Sequence, residues 1–192
     1  LRIGYNHLFS NASYRIFPKK ESSQLNYTEI SSEFYQVFNL DGSLNESSNN
    51  FNASWNFKNT SEFNLSVTPN WAHVPVSFRF DDEDDFTRCP PLPAGVYRYL
   101  NASAEWTSDG RKRLFLSLST QMGGFYNGQQ YGGKIELTGR IRTFANIRLA
   151  AEYNLLDFPE PYCDVPLFNL TPRIEVFFAK NLWWTTFLQY NT

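Results

Sequence analysis

The stretch GGFYNGQQYGG at 123–133 sets five glycines among three aromatic rings, a composition that suits a phosphate-cradling loop. Such a loop must lead from a strand into a helix N-terminus, yet the segment that follows, KIELTGRIR, alternates as a strand. The pair Asn127-Gly128 predicts a tight primed hairpin turn instead. The acidic run FDDEDD at 80–85 offers Asp81, Asp82, Asp84 and Asp85 beside Glu83 as hard oxygen ligands for Ca²⁺. It lacks the EF-hand spacing and glycine, so a solvated acidic loop is the plainer reading. Eight Asn-x-Ser/Thr sequons begin at Asn11, Asn26, Asn45, Asn52, Asn59, Asn64, Asn101 and Asn169. Several sit within alternating polar stripes, where Asn, Ser and Thr at period 2 generate the motif by composition and leave a glycan no room.

Catalysis has little to draw on. His7 and His73 are the only histidines, no G-x-S-x-G occurs, and no His/Cys/carboxylate cluster has zinc spacing. A barrel lipid hydrolase needs Ser and His on one strand face, and His7 is its one candidate; no catalytic residue is expected. Cys89 and Cys163 are too few for a disulfide scaffold but compatible with one bridge in an oxidising compartment. Lys134, Glu136, Arg140, Arg142, Arg148, Glu152, Arg173 and Glu175 fall on the polar sides of three successive periodic segments. Cross-strand pairing accounts for most of them; facing a lumen, they form a charged wall whose surplus of arginine attracts anions.

The elements that must position these groups are strands. The chain has 192 residues, a formal charge of −2 and a pI near 5.7, so it has no basic footprint for nucleic acid. Phe, Tyr and Trp make up 18 % of it although its mean hydropathy is −0.45, and period-2 alternation is the simplest way to separate the two kinds of residue. Phe63, Leu65 and Val67 alternate with Asn64, Ser66 and Thr68; Ile135, Leu137 and Ile141 alternate with Lys134, Glu136 and Arg140. Leu114, Leu116 and Leu118 do the same, with Phe115 an exception on the polar side.

About ten such strands are expected, joined by connections that alternate in length. Short ones fall at 17–23, 58–61, 108–111, 143–146 and 179–182, and long ones at 40–50, 73–95, the glycine stretch and 157–166. In an up-and-down antiparallel sheet the short turns then share one end and the long loops the other. That asymmetry, one apolar face, and Trp55, Trp71, Trp106, Trp183 and Trp184 near strand ends describe an all-β, transmembrane outer-membrane barrel. A soluble sandwich or lipocalin-like barrel has the same alternation with its faces reversed. The expected domain is 1–192, with both termini at the long-loop end and hence a fragment of a larger barrel.

The segment PLPAGVYRYLNASAEWTSDGRKRLFLSLSTQMGGFYNG and the end LTPRIEVFFAKNLWWTTFLQYNT resemble a bacterial outer-membrane barrel family catalogued as domain of unknown function 5916. The likeness lies in Pro93, Gly95 and Tyr97, in Gly123, Phe125, Tyr126 and Gly128, and in Phe187, Gln189, Tyr190 and Asn191. The resemblance implies a barrel in the outer membrane of a Gram-negative bacterium, often behind an N-terminal carbohydrate-binding-family-9-like domain, and carries over no catalytic residue. The resulting expectation is a membrane-embedded module for passage, surface display or partner docking, with outer-membrane lipid as its surroundings, no cofactor beyond Ca²⁺, and no enzyme activity. The alternatives are a surface-recognition or carbohydrate-binding protein acting through its long loops, and an outer-membrane lipid hydrolase.

Overall fold

The computed structural model describes residues 4–79 and 90–192. Within them the chain is all-β: β1 (Tyr5–Ile16), β2 (Leu25–Asn39), β3 (Leu44–Phe57), β4 (Glu62–Val74), β5 (Gly95–Thr107), β6 (Leu114–Phe125), β7 (Gly128–Ile141), β8 (Ala145–Asp157), β9 (Val165–Ala179), β10 (Leu182–Phe187) and β11 (Tyr190–Asn191). From β1 to β10 the order in the sheet is the order in the chain, each strand antiparallel to the last. β10 and β11 both pair with β9, so together they form the expected tenth strand, interrupted at 188–189. Among the described residues β1 does not pair with β10, and the sheet is open.

Cross-strand partners project to the same side of a sheet. One row runs Phe63, Trp106, Leu118, Ile135, Ala151, Leu170; the adjacent row runs Asn64, Glu105, Ser119, Lys134, Glu152, Asn169. The alternation read from sequence thus becomes two whole faces, one apolar and one polar, across the sheet. It loosens in β1 and β2, where the opposed rings of Phe9 and Tyr35 lie on the polar side. The polar face is knitted by short side-chain bonds: Ser66 to Ser103 at 2.7 Å, Asn50 to Thr68 at 2.9 Å, Thr107 to Ser117 at 3.0 Å. Asn52, Asn64, Asn101 and Asn169 stand in these polar rows, between neighbouring strands. The apolar face is bare: Ile135 is 48 % exposed and Met122 54 %.

The expected difference in loop length shrinks. The segment 40–50 is not a long loop, because a tight turn at 40–43 closes and β3 starts at Leu44; Asn45, buried, donates to Asn39 at 2.9 Å. The glycine stretch is nearly all strand. Its turn is Tyr126–Asn127, with Phe125 opposite Gly128 and Tyr126 at φ 54°, not Asn127-Gly128. Only 75–94 exceeds every connection at the other end; 158–164 is longer than most of them but shorter than 17–24.

The buried Ala145 and Ala150 lie away from the end that carries 75–94 and 158–164, whereas Val37, Val74, Leu92, Leu156 and Phe158, all buried, gather there. A ring cluster adjoins them: Tyr126 lies 5.5 Å from Phe78, 5.4 Å from Tyr97 and 5.0 Å from Phe125, and Phe125 reaches Phe158. A bridge between Phe78 and Leu92 ties the two sides of the 75–94 connection together. Phe125 and Tyr126 are therefore packed among other rings, whereas Tyr131 lies on the apolar face.

Candidate functional site

The polar side of β7, β8 and β9 carries most of the charged wall. Lys134, Glu136, Arg140, Arg148, Glu152, Arg173 and Glu175 share that face by register. Arg142 does not belong to it, because it sits in the 142–144 turn at φ 49°. Glu136 is shared between Lys134 at 3.8 Å and Arg148 at 3.3 Å. Glu175 accepts from Arg173 and from the Asn146 amide at 3.3 Å. Pairing across and along strands thus accounts for the acidic members.

The arginines are less fully matched. Arg148 and Arg173 stand directly opposite each other in the β8–β9 ladder, an arrangement that disfavours like charges. Arg140 donates to the Gly110 carbonyl at 2.8 Å and its guanidinium lies 4.9 Å from the Phe115 ring centre, a cation–π contact. That contact explains why Phe115 stands on the polar side of β6. Phe115, Thr138, Arg140, Asn146, Arg148, Arg173 and Glu175 line a pocket of about 170 Å³. A second hollow of about 210 Å³ lies higher on the same face, beside Gln121, Lys134, Glu152 and Asn154.

Gly132 is what permits the second hollow. Gln121 on β6 donates to Asn154 on β8 at 2.9 Å, reaching across β7, and a Cβ on Gly132 would collide with both side chains. Asn154 in turn donates to Glu152 at 2.8 Å. The glycine is a passage for a side-chain bond, a role invisible while the stretch reads as a loop.

The 17–24, 58–61, 108–113, 142–144 and 180–181 connections share the end nearest the arginine pocket. They carry eight lysines and arginines against two acidic residues, Glu21 and Asp109. Asp109 accepts from Arg111 Nε at 2.9 Å and from the Thr60 hydroxyl at 2.8 Å. The Arg111 side-chain bonds hold its carboxyl well below the usual carboxylate range, which keeps it charged and ties two turns together.

His7 Nδ1 meets the Tyr35 hydroxyl at 3.1 Å, a phenol and not a serine; His73 pairs with Val96, an exposed residue of the apolar face. Cys163 is held in a disulfide, and Cys89 lies outside the described residues. The Ca²⁺ candidates Asp81, Asp82, Asp84 and Asp85 also lie outside them; among the described residues no three His, Cys, Asp or Glu side chains converge for a metal. Comparison with protein-family models, with curated proteins and with solved structures finds no match.

Proposed function

We propose that this sheet is part of an outer-membrane β-barrel whose apolar face meets lipid and whose polar face lines an interior for the passage of small polar solutes. One observation carries the reading: a continuous, bare apolar face opposite a hydrogen-bonded polar one. Soluble monomers rarely expose apolar patches beyond a few hundred Å², and here the rows cross the sheet. On β7 the band runs from Tyr131 to Ile141; ten positions at ~3.3 Å each, tilted by ~40°, give ~25 Å along the membrane normal. Trp55, Trp106 and Trp184 sit near strand ends on that face, where amphipathic rings suit the headgroup level. Lipid requires every backbone group to be paired, so in this reading the open edges of β1 and β10 pair with further strands. An N-terminal carbohydrate-binding-like domain in the same polypeptide remains compatible with it.

The test is insertion and conductance. The protein refolded with phospholipid vesicles is expected to float with them after a urea wash and to migrate faster in unheated than in heated electrophoresis samples. Failure of both removes the membrane reading. Conductance in a planar bilayer tests passage separately, and its absence removes the pore.

The ring cluster around Tyr126 and the Phe78–Leu92 bridge favour a second reading. They give the long-connection end a packed surface, suited to surface recognition through loops on a barrel anchor. Glycan binding that disappears when 80–88 is replaced by a Gly-Ser linker, in a protein without conductance, would favour it over passage.

A further inference from the structure

The arginine pocket near the short-turn end contains one group that the ion pairs leave unexplained. Thr138 is 5 % exposed, its Oγ1 has no hydrogen-bond partner among the described residues, and it lines the pocket. A buried hydroxyl without a partner is disfavoured, so the fold keeps it at a cost. It stands opposite Arg148 in the β7–β8 ladder, and Arg148 stands opposite Arg173. Arg140 completes the rim; among the described residues its polar contact is a carbonyl, not a carboxylate. Three guanidiniums stand against Glu175 in the lining and Glu136 beside Arg148, so the pocket keeps a net positive charge.

These two features, an unsatisfied buried donor and opposed cations, are relieved together by one kind of occupant. We propose that the pocket binds a phosphoryl oxyanion, either inorganic phosphate or the phosphate of a small phosphomonoester. A tetrahedral dianion accepts from planar guanidinium forks on several sides, separates Arg148 from Arg173, and leaves an oxygen for the Thr138 hydroxyl. A pocket of about 170 Å³ holds the volume of five or six waters at ~30 Å³ each, enough for the anion and part of its hydration. The basic turns at the same end raise the local concentration of anions. The site makes the passage reading specific by placing an anion-selective step on the interior face; its role there rests on that reading, whereas its binding does not.

Isothermal titration of the folded protein in nonionic detergent, at low and constant ionic strength, tests this with three titrants: inorganic phosphate, glycerol phosphate and chloride. Phosphate or glycerol phosphate is expected to bind saturably at one per chain, and chloride not to; which of the two binds more tightly separates the free ion from the phosphomonoester. Arg140→Gln is expected to weaken binding ~10- to 100-fold, the loss of one charge-assisted contact. Thr138→Val keeps the shape and removes the hydroxyl; it is expected to weaken binding several-fold while leaving thermal stability without phosphate equal or higher. Neither phosphate titrant binding more tightly than chloride, or binding indifferent to both variants, overturns the proposal. Because conductance is read independently, a barrel that conducts without binding phosphate loses this site and keeps its passage function.

Discussion

Two regions of the molecule hold its aromatic and aliphatic side chains in opposite ways. At the long-connection end Phe158, Leu92 and Val37 are buried, and Tyr126 packs against Phe78 and Tyr97. On the outer face Leu114, Met122 and Ile135 are about half exposed or more, although they are of the same chemical kind. The first region is a small core of the sort water enforces. The second is organised by register alone, and the proposed barrel accounts for its exposure by setting it against lipid.

The contrast can be broken from the packed side first. Phe158→Ala is expected to destabilise the protein by ~3–5 kcal/mol in denaturant unfolding, whereas Leu114→Ala, at 60 % exposure, changes stability in detergent by no more than ~0.5 kcal/mol. Equal effects would mean that the two regions do not differ. Ile135→Arg sharpens the other side: in phospholipid vesicles it is expected to cost ~2–4 kcal/mol, as charges do near the midplane of a lipid-facing strand. On a water-facing surface the same change would be close to neutral.

Gly132→Ala probes the polar face. Its Cβ would meet Asn154 and Gln121, so the Gln121–Asn154 bond must open, with a loss of ~1–3 kcal/mol by overpacking; Gly132→Ala combined with Gln121→Ala should recover part of it. The smallest effect lies at the short turns. Because the Asp109 carboxyl is held below its unfolded range near ~3.9, its contribution is present above that pH and lost as pH falls through the depressed folded value. Asp109→Asn should remove that part of the acid destabilisation, measured as a shallower fall of melting temperature below about pH 4.

Much of this contrast is legible in the sequence, and for a physical reason. Side chains of β5 to β9 follow a period of 2 with few exceptions such as Phe115, so Leu118 and Ser119, or Ile135 and Lys134, declare their faces without any long-range information. Local composition misleads where polar residues serve as strand. Glu46 and Ser47 read as loop, yet their backbones pair with β2 and β4, and Asn45 beside them donates to Asn39. Glycines mislead likewise, since Gly132 is needed for a bond between strands on either side of it. The aromatic cluster joins residues from Phe78 to Phe158 and has no local signature. The arginine pocket was half visible: the charged wall could be read from periodicity, but the opposition of Arg148 and Arg173, the burial of Thr138 and the removal of Arg142 to a turn depend on the register of β7, β8 and β9.

The central claim is that one face of the sheet meets lipid and the other water, and β6 tests it most directly. Nitroxide labels placed one at a time from Leu114 to Met122, in protein reconstituted into phospholipid vesicles, report the access of oxygen and of a water-soluble nickel chelate. Oxygen access is expected to peak at 114, 116, 118, 120 and 122, and nickel access at 115, 117, 119 and 121. Nickel access at both sets of positions, or no period of 2, would contradict the account.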